Sequence, residues 1–152
     1  MNEEQFTQLC RDTSFLLGLE DLELLGKYGK ITIHNSAMTI FFDEEIDSNE
    51  IVLYVDIVSL NNHDRESLLC ILMGMNLLNN QVLLGVCGFD PIRNVAVLKK
   101  NISPLETMSS NQFAMILVDL TTYVQQLRTQ LPELISNLRS SFPSKNQFLH
   151  SA

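Results

Sequence analysis

Positive charge is scarce in this chain. Its 152 residues carry 10 Lys and Arg against 18 Asp and Glu, a net charge of −8. Lys99-Lys100 is the only adjacent basic pair. Nucleic-acid binding relies on Lys and Arg to neutralise phosphates, so that class of function is excluded. Cysteine is as sparse: Cys10, Cys70 and Cys87 form an odd set without CxxC spacing. All three lie in apolar stretches, where a free thiol behaves as a small hydrophobe. Reduced thiols, with no disulfide and no metal, are expected. Catalytic signatures are missing too. His34, His63 and His150 are scattered, with no His, Cys or carboxylate at metal-ligand spacing. No GxSxG, HExxH or phosphate-cradling glycine loop occurs. Cys87 has no neighbour that would lower its pKa and reads as packing. Asp43, Glu44, Glu45, Asp47 and Glu50 lack the Gly and twelve-residue ligand pattern of an EF-hand, and read as a solvated hairpin tip. Nothing supports an enzyme, a cofactor or a metal site.

A membrane-length run is absent as well. Between Glu66 and Asp90 there is no charged side chain, which raises the question of a span. A spanning helix needs roughly 20 mostly apolar residues. The run Leu68–Leu78 has eleven, and Asn79-Asn80-Gln81 closes it. The stretch therefore reads as a helix followed by a buried strand from Val82 to Cys87. Residues 1–5 are acidic and lack the basic segment and apolar core of a secretory signal. A cytoplasmic protein is expected.

What is present is an ordered alternation of periods. Asn2 and Gln5 form a capping box ahead of Phe6, Leu9, Cys10, Thr13, Leu16 and Leu17, a helical stripe that Gly18 stops. Leu19–Gly26 reads either as a short acidic helix or as a loop. Three strands follow: Lys30–His34, then a turn at Asn35-Ser36, Ala37–Asp43, and the alternating Ile51, Leu53, Val55 and Ile57. The apolar helix comes next, capped by Asn62 or Asp64. Strands Val82–Cys87 and Val95–Lys100 flank a turn containing Asp90-Pro91. A last helix starts at Ser109 with Gln112 completing a second capping box, and its stripe runs through Phe113, Ile116, Leu117, Leu120, Val124, Leu127 and Leu131. Pro132 kinks or ends it. Residues 140–152 read as a flexible tail, leaving one domain over 1–139. The order α-β-β-β-α-β-β-α gives an α+β fold, a twisted antiparallel sheet packed by helices.

The middle helix sets the assembly. After Glu66 no charged residue interrupts any of its faces, and a helix apolar all round is buried all round. A second copy of the same helix across a two-fold axis is the economical cover, with the last helix of the same chain as the alternative. Leu69, Leu72, Met73, Asn76 and Leu77 are the expected interface residues, and Gly74 would let two backbones approach. Asn76 would either fix the register of the pair, as a buried polar residue does in coiled coils, or cap the backbone of a neighbouring strand.

This pattern resembles the class I type III secretion chaperones, the Tir-chaperone family, from Phe6 to about Leu131. Leu68-Leu-Cys-Ile-Leu-Met-Gly-Met-Asn-Leu-Leu78 resembles that family's central helix. Leu83–Leu98 resembles its following hairpin, and Ser109–Leu131 its last long helix. Lys100-Asn-Ile-Ser-Pro104 departs from the Leu-Pro-Leu-like exit of many members. The resemblance implies a cytoplasmic bacterial homodimer without ATPase activity. It would bind the N-terminal region of a secreted effector, hold it extended, and present it to the secretion apparatus, whose ATPase is a further implied partner. Strand addition to an exposed sheet edge flanked by apolar pockets would suit such a ligand. Phe6, Leu9 and Leu16 of the first helix, with Ile31, Ile33, Met38, Ile40 and Phe42 of the first strands, are the expected groove, although about half of such side chains must be core. The rival reading is a regulatory or adaptor protein of the same fold that binds a transcription factor or sensor.

Overall fold

A computed structural model describes residues 1–60, 64–78, 85–103 and 105–141. The first capping box forms. Asn2 Oδ1 accepts the Gln5 N–H at 2.9 Å and Gln5 Oε1 accepts the Asn2 N–H at 3.0 Å, opening α1 (Glu3–Leu16). Phe6, Leu9, Cys10, Thr13 and Ser14 make its buried stripe. Residues 19–26, readable as helix or loop, resolve into a bend and then a π-helical turn over Leu24–Tyr28, anchored by the fully buried Leu25. Gly29 closes that turn at φ +59, and a Cβ there would stand 2.4 Å from the Ile40 carbonyl oxygen. Only glycine combines that backbone with that approach.

Strands β1 (Lys30–Ile33) and β2 (Ser36–Phe42) follow, joined at Ile33 and Ser36. His34 and Asn35 both have positive φ, 47° and 60°, as a two-residue hairpin turn with the strands' own twist requires. The turn thus sits one residue earlier than Asn35-Ser36. The acidic tip forms a single helical turn, α2 (Glu44–Asp47), whose first N–H groups are capped by Asp43 Oδ1. Next come β3 (Ile51–Ser59), α3 (Arg65–Leu78), β4 (Val86–Asp90), β5 (Val95–Ile102) and α4 (Ser110–Ser141). The sheet is antiparallel throughout, in the order β1-β2-β3-β5-β4. The expected α+β order holds, with the π-turn and α2 added. Expectations for Asn62, for Asn79-Asn80, for the start of the fourth strand at residues 82–84 and for the tail over 142–152 lie outside the described residues.

One face of the sheet is the core. Ile31, Ile33, Met38, Ile40, Leu53, Val55 and Leu98 are buried with the α4 stripe Phe113, Leu117, Leu120, Val124, Leu127 and Leu131. Phe6 of α1 stacks on Phe42 with ring centroids 4.4 Å apart. Two features of α4 depart from the sequence reading. It continues through Pro132, which is exposed, rather than ending there. Beyond it, half-buried Ile135 and Leu138 and an Arg139–Asp64 ion pair at 2.5 Å tie the last turns down. Tertiary contact thus overrides the local proline signal. The second feature is Arg128. A bulge between Asp56 and Val58 interrupts the β3–β5 ladder. The Arg128 guanidinium donates to the carbonyls of Asp56 at 2.7 Å and Ile57 at 2.5 Å. It also reaches Asn35 O and Ser36 Oγ, both at 3.1 Å. One side chain from α4 satisfies the bulge and clamps the first hairpin turn.

Candidate functional site

A chain that takes up another polypeptide has to offer unpaired backbone or unpartnered apolar surface, so the sheet edges come first. They are β1 and β4, and they are in opposite states. At β4, the Asn76 side chain of α3 donates Nδ2–H to Cys87 O at 2.7 Å, and its Oδ1 accepts Cys87 N–H at 2.8 Å. The amide occupies both main-chain groups of Cys87 as a neighbouring strand would. Of the two readings of Asn76, the structure takes the strand cap.

At β1 no such cover exists among the described residues. Ile40 N–H donates to Gly29 O at 2.7 Å, which fixes the phase of the hairpin. Gly29, Ile31 and Ile33 exchange bonds with β2, while the N–H and C=O groups of Lys30 and Thr32 point away from it. Beside this open edge lies a trough of about 620 Å³. Leu19, Leu24, Ile31 and Met38 contribute its apolar lining; Glu20, Asp21, Lys30, Thr32, Thr39 and Arg93 contribute its polar lining. Arg93 is held by Asp56 at 2.9 Å and by Asp90 at 2.6 Å, and its hydrogen bond keeps the Asp90 carboxyl below its ordinary pKa.

The expected groove residues fare unevenly. Ile31 and Met38 line the trough, though both are buried. Phe6, Leu9, Ile33 and Ile40 are buried in the core of the monomer. Phe42 is half-buried under Phe6, and Leu16 is exposed at the end of α1. The alternation that suggested a groove is the ordinary burial pattern of a sheet with one covered face. Leu19, Leu24 and the backbone of Lys30 and Thr32 escaped the sequence reading. Edge position is a property of strand order, which no local pattern encodes.

The middle helix is covered on one side only. Leu68 and Leu72 are buried, whereas Cys70, Met73, Leu77 and Leu78 are exposed. Leu69 and Asn76 are half-buried. A Cβ on Gly74 would meet nothing within 4 Å. The last helix packs against the buried side and leaves the other open. Of the expected interface residues, Leu72 is spent on the monomer core and Asn76 on β4; Met73 and Leu77 remain available.

The thiols differ as their positions do. Burial pushes Cys10 up to about 12 and Cys87 up to about 11, so both thiols are held in the protonated form at neutral pH. Cys70 is exposed on α3, unlike the apolar setting expected of all three. Among the described residues no group of His, Cys, Asp and Glu is arranged to hold a metal, and no helix is long and apolar enough to cross a membrane.

Among solved structures the fold is similar to a chain of the ExsC–ExsE complex, with a TM-score of 0.66 and 16% identity over 84% of this chain and 93% of that one. It is also similar to a chain of the HopA1–SchA chaperone–effector complex, with a TM-score of 0.57 and 19% identity over 84% of this chain and 95% of that one. No curated protein sequence matches the chain. Residues 12–128 match the Tir chaperone protein (CesT) family, a match that covers α1 from its middle, the whole sheet, α3 and α4 as far as the Arg128 clamp. The chain belongs to that family, the class I type III secretion chaperones.

Proposed function

We propose that this chain acts as a homodimeric, nucleotide-independent chaperone in the bacterial cytoplasm, binding the N-terminal segment of a secreted effector and keeping it extended for export. One observation carries the reading: among the described residues the edge strand β1 has no side-chain cap and runs beside an apolar trough, while the other edge strand is capped at Cys87 by Asn76. An extended segment entering there gains main-chain bonds at Lys30 and Thr32 and places alternate side chains against Leu19 and Leu24. The exposed stripe of Met73 and Leu77 beside Gly74 on α3 supports the dimer.

Calorimetry with the N-terminal fragment encoded by the neighbouring reading frame tests the site. Binding should show a clearly negative heat-capacity change. Thr32→Pro removes an outward N–H, a change edge strands tolerate, and should weaken binding at least tenfold while the fold persists. Unchanged affinity would refute the edge. Capture of a transcription factor or sensor instead of a secreted protein would favour the adaptor reading. In parallel, Met73→Asp with Leu77→Asp should yield monomers by sedimentation. Leu72→Asp would report only core collapse.

A further inference from the structure

One guanidinium in this fold has no counter-ion of its own. Arg11, Arg93 and Arg139 each hold a carboxylate. Arg128 makes no ion pair among the described residues, and every Asp and Glu of the chain is described. Its acceptors are three carbonyls and the Ser36 hydroxyl, all uncharged. A guanidinium has five N–H groups, so one on Nη2 is left over. The side chain is half-buried, where an unmatched charge is costly. Beside it lies a cavity of about 440 Å³ between the end of β3, the first turn of α3 and α4. Val58, Leu68, Leu131 and Ile135 make its apolar walls. The hydroxyls of Ser59 and Ser136 also line it and have no hydrogen-bond partner among the described residues. Asp64 and Arg139, paired with each other, complete the polar lining and add no net charge. In a chain of net charge −8, this is an apolar chamber with one uncompensated positive charge.

We propose that this cavity binds a medium-chain monocarboxylate of about eight to twelve carbons, with its carboxylate on the Arg128 guanidinium and its chain against Val58, Leu68, Leu131 and Ile135. Charge sets the head group. A single negative charge balances Arg128, and a hydrogen bond from a guanidinium to a carboxylate is stronger than one to a neutral acceptor. A second negative charge would find only Arg139, already held by Asp64. The Ser59 and Ser136 hydroxyls supply further donors. The walls set the tail, because branched aliphatic side chains reward apolar surface taken out of water. Volume sets the length. The cavity falls in the range of small-molecule pockets, about 300–1,000 Å³. At water's share of liquid volume, about 30 Å³, it holds roughly fifteen non-hydrogen atoms, the size of such an acid. No lining residue is shared with the trough beside β1, so this site is separate from the proposed client site and does not rest on the chaperone reading.

The test is calorimetry of the full chain with decanoate, decan-1-ol, decylammonium and hexadecanoate, each below its micelle-forming concentration. Decanoate should bind at a single site per chain, about tenfold more tightly than the alcohol or the amine. Hexadecanoate is too long for the cavity and should bind more weakly, despite its larger apolar surface. Adsorption to exposed apolar surface would rank the four differently. In a chain of net charge −8 the cation would then outbind the acid of equal length, and the longer acid would outbind the shorter. Ser136→Trp fills the cavity from an exposed position on α4. It should abolish decanoate binding and leave the circular dichroism spectrum unchanged. Arg128→Gln should weaken decanoate about tenfold and leave decan-1-ol unchanged. Because Arg128 also clamps the bulge, its thermal melt is read first, and Ser136→Trp decides the matter if that variant does not fold. Equal affinity for acid and amine overturns the proposal. So does affinity that rises from decanoate to hexadecanoate, or decanoate binding that survives Ser136→Trp.

Discussion

β1 and β4 are both short edge strands of one sheet, and each brings a β-branched or aromatic residue and a thiol or hydroxyl to the rim. At β4 a helix lies alongside, and one residue of it, Asn76, presents an amide to Cys87 in the geometry of a strand. At β1 the neighbouring segment is a π-turn that ends two residues before the strand, and no described residue caps the strand's outer groups. An unpaired edge is an aggregation hazard that proteins normally blunt. On the proposed function, a cap at Cys87 and an edge at β1 uncovered among the described residues would direct strand addition to β1. The exposed Lys30 on β1 is the kind of charge that discourages casual pairing without forbidding a selected partner.

The largest expected effect comes from breaking the closed edge. Asn76→Leu removes both bonds to Cys87, leaving a half-buried N–H and C=O without their partner. Each such loss costs about 1–3 kcal/mol, so chemical denaturation should report a loss of roughly 2–6 kcal/mol. The variant should also aggregate faster than wild type, since two edges would then be available. Full stability in Asn76→Leu would show that the amide is not what closes β4.

A smaller effect is expected at the entrance to the open edge. Gly29→Ala imposes a positive φ on alanine and a Cβ against the Ile40 carbonyl oxygen. Strain of this kind costs about 1–3 kcal/mol, and relief by shifting the start of β1 would misplace Lys30. Thermal melting should fall, and effector-fragment binding should fall with it. Gly74→Ala is the control: it meets open space and replaces glycine inside a helix, so it should stabilise the monomer by about 1 kcal/mol.

How far these features were legible follows from the range of the signals. Period-2 runs placed β1, β2 and β3 within a residue or two, and the capping boxes at Asn2 and Ser109 marked two helix starts correctly. Those are local effects. The uncharged faces of α3 were also legible as a demand for cover, and the structure leaves one face uncovered within the monomer. The division between groove and core was not legible, because Ile31, Ile33, Met38 and Ile40 alternate identically whether their face meets a helix or a ligand. Arg128 gave no signal at all: its worth depends on a bulge about 70 residues away in sequence, and bulges have no composition that a single sequence reveals. The passage of α4 through Pro132 is the converse case, a strong local signal outweighed by packing on both sides.

The smallest effect concerns the thiols and separates the closed edge from the exposed helix face. Cys87, on β4, titrates at about 11 and Cys10 at about 12 because burial disfavours the thiolate. Unfolded, both ionise near 9.0. The folded-state pKa is the higher one, so the stabilisation from keeping these thiols neutral is complete below pH 9. It is lost as pH rises through the window from 9 to about 11 for Cys87 and to about 12 for Cys10. At pH 10 the loss is on the order of 1 kcal/mol per thiol. Comparing wild type with Cys87→Ala isolates it: the stability difference at pH 8 should shift by about that amount in favour of the variant at pH 10. A difference that stays constant would mean that the edge admits water to Cys87, and that Asn76 closes β4 less completely than its two hydrogen bonds suggest. Alkylation at pH 8 gives the same comparison kinetically, with Cys70 reacting first and Cys87 reacting quickly only once Asn76 has been replaced.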